Sequence, residues 1–497
     1  LAEATDLTPM EWLGRLGKKL IDRQPLVSYW SRYYEGDADL PAGPNQHKEV
    51  FRRFQKLART NLCLLCAESR VHRTRAIGFR DPGFTSLSEI DPVWRLWQAA
   101  KLDARQAAVW RKSYSKGAAY VTVGVDPRKR QSPRVTIEGP ENVIVEHDPA
   151  DSSRILAALR LWFDDILKRW MATLYLPGET DGAPGKRYAW QTVRPGSKTG
   201  GISWKPAAWQ QRDDPAVSTS LVPVVPFYNG DDEGEPFAAF APGIDAQNRL
   251  NLTLLNRLTS ERYAAFRQTV LLNYQIDEDP VTGEPVAPWK PGVTQIGMVG
   301  PPEDPGDPAV QLIQLQQTDT SQMLRAVESD MRAFAAITLT PVYYLPGDMN
   351  NLGAEAVAAL DAGHNAEITQ GNAARAEGLE TVLQLMADIA ELDRDLSQSE
   401  VAFARPENFN PAQVGDMFAK YVSAGVPAPM AAEEVGWSPQ KVNQLRAELA
   451  AEVLRQEMAA PVPATSPAAL APSPAAAPTL TDQPEPAREP AGSFDLG

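Results

Sequence analysis

Two long helical runs on either side of a proline-rich, acidic stretch set the strongest limit on what this chain can fold into. From residue 243 the apolar positions Leu250, Leu254, Leu255, Leu258, Phe266, Val270 and Leu271 recur at helical spacing. The pattern predicts one uninterrupted helix to about residue 273, roughly thirty residues and ~45 Å long. Residues 273–317 then hold eight prolines and seven acidic residues against Lys290 alone, a net charge of −6. Such a segment is loop, with short strands at best. A second helix is expected over 318–337. A hairpin this long, and polar along its sides, cannot bury itself within one subunit. It needs neighbours.

The remaining segments fall into separate units, because 497 residues exceed one ordinary core of ~100–200 residues. Thr8, Pro9 and Glu11 have the order of an N-cap, a first helical residue and a capping-box acid. A helix within residues 1–24 is therefore expected, as a peripheral arm. From Val50, the residues Phe51, Phe54, Leu57, Ala58, Leu62, Leu65 and Cys66 recur at helical spacing. The window 51–80 carries eight basic residues against Glu68, a local charge of +7. Its basic face is solvated, turned to another subunit, or in touch with DNA. Cys63 and Cys66 belong to the core of this helix.

Pro92 opens a tryptophan-rich helix running to about Lys116. Strands follow. Val121, Val123 and Val125 alternate with Tyr120, Thr122 and Gly124, and a period of two recurs at Val135/Ile137, Val143/Val145 and Leu159/Leu161/Phe163. Further strands are expected over 171–176 and 187–193. The reading is an α+β domain with a meandering antiparallel sheet ending near Pro226. Beyond the hairpin, residues 338–351 contain Pro341, Tyr343, Tyr344, Pro346, Gly347 and Asp348 and read as a loop. Asn351 would cap a helix whose stripe of Leu379, Val382, Leu383, Met386, Ile389 and Leu392 continues to about Leu396, ~65 Å in all. Residues 410–458 should give two or three short helices. Residues 460–497, with nine prolines and ten alanines, bury too little to offset the entropy of ordering and are expected to be disordered.

Charge and motifs narrow the function. Lys plus Arg number 49 and Asp plus Glu 63, a net charge of −14, which argues against a general nucleic-acid coat held by phosphate neutralisation. Any DNA contact should be local or fleeting. No stretch reaches the ~18 apolar residues of a spanning helix, and no charged-then-apolar leader opens the sequence, so a chain made in the cytosol is expected. Cys63 and Cys66 form a single Cys-x-x-Cys without the second pair or nearby histidines that zinc requires. There is no Gly-x-x-x-x-Gly-Lys-Ser/Thr loop, no His-Glu-x-x-His, no Gly-x-Ser-x-Gly and no dinucleotide fingerprint. Asp348 and Asn350 resemble the start of a calcium loop, but Leu352 and Ala359 stand where ligands are needed. No catalytic residue, metal or cofactor is expected.

The order of elements resembles the portal proteins of long-tailed, double-stranded-DNA bacteriophages, over about residues 45–458. The likeness rests on Leu221-Val222-Pro223-Val224-Val225-Pro226-Phe227-Tyr228-Asn229, on Asp245-Ala246-Gln247-Asn248, and on Asn350-Asn351-Leu352-Gly353-Ala354-Glu355-Ala356. The resemblance implies a portal-type α+β subunit with an N-terminal arm (1–44), an α+β wing (45–242), a first stem helix (243–273), a loop-rich clip (274–317) and a second stem helix (318–337). It further implies a tunnel loop (338–352), a long wing helix (353–397), a helical crown (398–459) and a Pro/Ala-rich tail (460–497).

In such a family, subunits form a ring, usually of twelve, at one capsid vertex, and double-stranded DNA passes through the centre. The implied partners are further copies of the chain, DNA in transit, terminase, major capsid and scaffolding proteins, and head-tail connector proteins, with no membrane. The implied location is the virion, with assembly in the host cytoplasm. The tunnel-loop residues would be Pro341, Tyr343, Tyr344, Asp348, Asn350 and Asn351. Arg249, Arg257, Arg262 and Arg267 would give the stem a modest basic stripe, and Asp277, Glu278, Asp279, Glu284 and Lys290 would present the clip to terminase and connectors. The two tyrosines would brush DNA or pack to narrow the channel. Two other readings stay open: a structural adaptor without a channel, and an enzyme of the packaging apparatus, which the missing phosphate loop disfavours.

Overall fold

Alternation in the sequence becomes two larger antiparallel sheets, beside the separate strand pairs Ala76–Arg80 with Glu400–Phe403 and Thr269–Leu272 with Gln311–Gln314, in the computed structural model, which describes residues 7–41, 49–84, 86, 89–178, 183–213, 216–217, 219–230, 235–265, 269–273, 280–282, 311–314, 321–344, 354–407 and 411–459. Helix α1 (Pro9–Tyr34) comes first, followed by α2 (Glu49–Leu57), α3 (Leu62–Arg73), strand β1 (Ala76–Arg80), α4 (Pro92–Ala99) and α5 (Leu102–Lys116). Next are β2 (Ala118–Asp126), β3 (Lys129–Glu138), β4 (Val143–Asp148), β5 (Asp151–Asp164), β6 (Arg169–Leu176), β7 (Lys186–Thr192), β8 (Trp209–Gln211), β9 (Ala216–Val217) and β10 (Val224–Tyr228). The rest comprises α6 (Ile244–Ala265), β11 (Thr269–Leu272), β12 (Gln311–Gln314), α7 (Ser321–Ile337), α8 (Ala354–Ile389), β13 (Glu400–Phe403), α9 (Pro411–Ser423), α10 (Ala428–Glu434) and α11 (Pro439–Ala459). The fold class is α+β. Contacts divide the chain into a unit over Leu1–Ala447 and a second over Glu448–Gly497, whose described part is the last turns of α11.

Strands β10, β2 and β3 form one sheet in that order, and β4 to β8 form the other as a meander, with β9 alongside β7. The larger sheet is buried on both faces. Ala157, Leu159 and Leu161 of β5 point one way with Ala172 and Leu174 of β6, while Ala158 points the other way with Val143 and Val145. That second face meets Ala118, Tyr120, Val222 and Val224 of the smaller sheet. The domain continues past Pro226, since Phe227 and Tyr228 complete the pairing of β10 with β2. At Gly117, φ is +82° and an added Cβ would stand 2.9 Å from the Pro236 carbonyl, so only glycine joins α5 to β2 here.

The first helix differs most from expectation. Thr8 and Glu11 do form a reciprocal capping box, but the helix runs to Tyr34 and is not peripheral. Trp12, Leu13, Leu16 and Leu20 cover the larger sheet against Trp190 and Trp209. After Pro25, which has no N–H to donate within the helix, Trp30 and Tyr33 enter the main core with α3, α5 and α8. Trp12 and Leu16 lie four apart on one face, so the sequence carried the stripe, but not the sheet that receives it.

Three other expectations change. The helical run from residue 50 is broken, because Asn61 caps a new helix by accepting from the Leu64 N–H at 2.9 Å. The first hairpin helix stops at Ala265 after 22 residues, ~33 Å. Val270 and Leu271 belong instead to β11, paired antiparallel with β12. A short β-branched run cannot be told from helix by apolar spacing alone. The long helix α8 spans 36 residues, ~54 Å, and ends at Ile389, with Glu391 turned to a left-handed φ of 55°. The tail 460–497 lies outside the described residues.

Replacing Leu16, fully buried under α1, with alanine should cost about 2–5 kcal/mol of unfolding free energy in a urea titration. A loss under about 0.5 kcal/mol would return the helix to the periphery.

Candidate functional site

The segment after α7 is held by two buried arginines from α3. Spacing explains them: Cys63, Cys66, Ala67, Arg70 and Arg73 fall on one face of the helix, and all are buried. Arg70 Nη2 donates to the Thr338 carbonyl at 2.6 Å and to Glu367 Oε2 at 2.7 Å, and its Nη1 donates to the Cys66 carbonyl at 3.0 Å. Arg73 Nη2 donates to Asp361 Oδ2 at 3.1 Å and to both Tyr343 and Tyr344 hydroxyl oxygens at 2.9 Å. Its Nη1 donates to Asn365 Oδ1 at 2.5 Å. The Tyr343 hydroxyl in turn donates to Asp361 at 2.7 Å. Asp361, His364 and Asn365 share a face of α8 and meet α3 across this segment.

Electrostatics follow from burial. Arg73 and Asp361 side chains are 4% and 6% exposed. Burial opposes the charge on Arg73, yet Asp361 and Tyr344 outweigh it and raise its pKa above the ordinary guanidinium. Burial, then the bond to Asp361, pushes the Tyr343 phenol far up. His364 donates from Nδ1 to the Leu339 carbonyl at 2.9 Å, and burial together with Arg70 and Arg73 lowers its pKa to about 4. It is neutral at pH 7.

The structure therefore places Pro341 in a buried position and commits both tyrosine hydroxyls to contacts within the chain. Their rings lie 4.9 Å apart. Asp348, Asn350 and Asn351 lie outside the described residues, as do the clip residues Asp277, Glu278, Asp279, Glu284 and Lys290, and Arg267 of the stem. The other stem arginines have partners: Arg249 Nε donates to Asp330 on α7 at 2.7 Å, Arg257 pairs with Glu261 at 2.7 Å, and Arg262 lies 4.8 Å over the Phe54 ring. The basic excess of 51–80 is also partly internal, through Arg70 and Arg73. Exposed Arg52, Arg53 and Lys56 remain on α2.

Gln247 and Asn248 of the Asp245–Asn248 run act with Asn251 as a polar clamp. Gln247 Oε1 accepts the Leu62 N–H at 2.9 Å, Asn251 Oδ1 accepts the Thr60 N–H at 3.0 Å, and Asn248 accepts from the Tyr33 hydroxyl at 2.8 Å. They fix the base of α6 to the junction of α2 and α3. Phe227, of the Leu221–Asn229 run, meets Trp110 edge-on at 5.4 Å. Among the described residues no three or more His, Cys, Asp or Glu gather to hold a metal ion, and no helix is long and apolar enough to cross a membrane.

Residues 22–424 match the family described as Phage portal protein, SPP1 Gp6-like. The chain belongs to that family. The matched span begins inside α1 and ends just after α9, leaving α10 and α11 beyond it. Two solved structures are similar: the neck of an empty GTA particle computed with C6 symmetry, at 11% identity and a TM-score of 0.40, and the neck of a native GTA particle computed with C12 symmetry, at 12% and 0.41. Each alignment covers 83% of this chain and 99% of the other. No curated protein matches. The role is that of a portal protein, a structural component of the virion.

Arg73→Met strands the Asp361 carboxylate and should cost about 3–5 kcal/mol, with the double variant Arg73→Met/Asp361→Leu recovering part of it. Equal losses in a double-mutant cycle would deny the pairing. His364 gives a pH signature. Unfolded, it protonates near 6.5, while in the fold it stays neutral to about 4. Protons then bind the unfolded chain first, so stability falls as pH drops from about 6.5 to about 4, by roughly 3 kcal/mol. Urea midpoints of His364→Gln should lack that increment.

Proposed function

We propose that copies of this portal-family chain close into a ring, of twelve subunits, whose centre passes double-stranded DNA into the capsid and later out of it. Residues 274–317 would be the surface on which terminase and then head-tail connector proteins dock. Energy would come from that separate ATPase, and the ring itself would be structural. The observation that carries the reading is the α6/α7 hairpin. Its two helices lie against each other, tied by Arg249 and Thr253 to Asp330. Yet Leu252, Leu324 and Ile337 on them remain 40–49% exposed. Apolar side chains left open along both helices are what neighbouring copies would cover.

The charge suits a conduit. A chain of net −14 offers few free cations to a duplex, and the described stem arginines already have partners within the chain. Weak phosphate contact lets a strand slide, where strong contact at each phosphate would hold it. The tyrosine segment, with its hydroxyls bound to Arg73 and Asp361, would then narrow the passage through the loop that follows it rather than by the phenols themselves.

Single-particle imaging of the purified full-length protein should show rings with an open centre. A stable monomer at high concentration, even alongside its capsid proteins, would overturn the proposal; a closed disc would favour a structural adaptor.

A further inference from the structure

Helix α8 carries a buried cation that has no counter-charge among the described residues. Arg375 is 7% exposed, and its guanidinium lies 4.9 Å from the centre of the Tyr114 ring. Among the described residues its hydrogen-bond partner is Asn372 Oδ1 at 3.4 Å, its Nε has none, and it forms no ion pair. Arg70 and Arg73 of α3, also buried, each meet a carboxylate. An aromatic face offsets only part of the cost of taking a guanidinium from water.

The charge lines a half-open cleft. A cavity of about 590 Å³ runs between α8 and the end of β10, with Asn229, Phe237, Gln370 and Glu377 among its walls. Gly371 makes the arrangement possible: a Cβ there would stand within clashing distance of Arg375 Nη1, so glycine leaves the room into which the guanidinium folds. Glu377 is exposed, and Glu367 is already engaged by Arg70.

We propose that this cleft is a carboxylate-binding site, filled by an aspartate or glutamate of a second copy of the chain. Charge complementarity supports that occupant, since a chain with 63 acidic residues against 49 basic ones has an excess of carboxylates to offer a buried cation of its neighbour. The cleft would offer the incoming acid the planar guanidinium of Arg375 as a fork of donors. The inference rests on the ring reading, for which it would supply one subunit-to-subunit contact.

The test uses the full-length chain, followed by mass photometry over a dilution series, with melting curves taken below the assembly concentration. Arg375→Met should raise the concentration needed for assembly by about thirtyfold or more, because it leaves the neighbour's acid buried and unpaired. The monomer's melting temperature should stay unchanged or rise, since an unsatisfied cation is removed. Gly371→Ala, which displaces the guanidinium, should weaken assembly in the same direction, and Arg375→Lys should keep part of it. Assembly of Arg375→Met at the wild-type concentration overturns the inference while leaving the ring intact. A marked fall in the monomer's melting temperature also overturns it, by showing that Arg375 serves its own subunit. In sequence the acidic run Asp231, Asp232 and Glu233 directly follows Gly230, a wall of the cleft, and the combined variant Asp231→Asn/Asp232→Asn/Glu233→Gln separates this other source of the same chemistry: if it destabilises the monomer only when Arg375 is present, the acid is the chain's own and the inference fails. A wild-type chain that never assembles overturns the ring reading and this inference with it.

Discussion

Two buried arginines, each paired with a carboxylate, hold the middle of this molecule together. Arg70 with Glu367 and Arg73 with Asp361 join α3 to α8, elements nearly three hundred residues apart in sequence, and Thr338, Tyr343 and Tyr344 after α7 bond to the same two arginines. Apolar burial stabilises such a junction without fixing its register, because it has no direction. A buried guanidinium does fix it: each N–H that lacks a partner is costly, so the helices settle where Thr338, Asp361, Asn365 and the two phenols all meet their donors. The hairpin therefore leaves the body of the subunit from a defined base.

That base is secured a second time from the other side. Gln247 and Asn251 on α6 satisfy backbone groups at the gap between α2 and α3, where the interruption of the helix leaves N–H groups in need of acceptors. The same break turns α3 so that its arginines face inward. Helix α1 completes the frame by covering the larger sheet with one half and entering the main core with the other. Together these contacts tie the base of the α6/α7 hairpin to the α+β body.

Much of this was legible in the residues. Thr8, Pro9 and Glu11 announced the start of α1, and the period of two located β2 to β5, with β6 and β7 also expected, while β8, β9 and β10 were not foreseen. The family likeness drawn from the runs at 221–229 and 245–248 agrees with the match over 22–424. Those runs proved to be packing and clamping residues. Other features were hidden for identifiable reasons. Val270 and Leu271 continued a helical apolar spacing by coincidence, and only pairing with β12 made them a strand. Arg70 and Arg73 looked like part of a basic face because net charge counts cations without showing which way they point. A sharper signal was present, since both continue the spacing of Cys63 and Cys66, and Asp361, His364 and Asn365 repeat it on α8 as polar residues on what is otherwise a buried stripe.

By itself the sequence determined the local elements, because caps, periodicity and turn residues act over a few positions and are written where they act. It also determined the acidic balance, since composition sets it. Which charges are buried, and against what, was decided only by the tertiary structure. A guanidinium at 70, 73 or 375 is the same group in the chain; its partner, its exposure and the cleft at Arg375 exist only once α3, α5, β10 and α8 are brought together. The reason is physical: the energy of a charge depends on the dielectric and the donors and acceptors around it, and distant segments supply those.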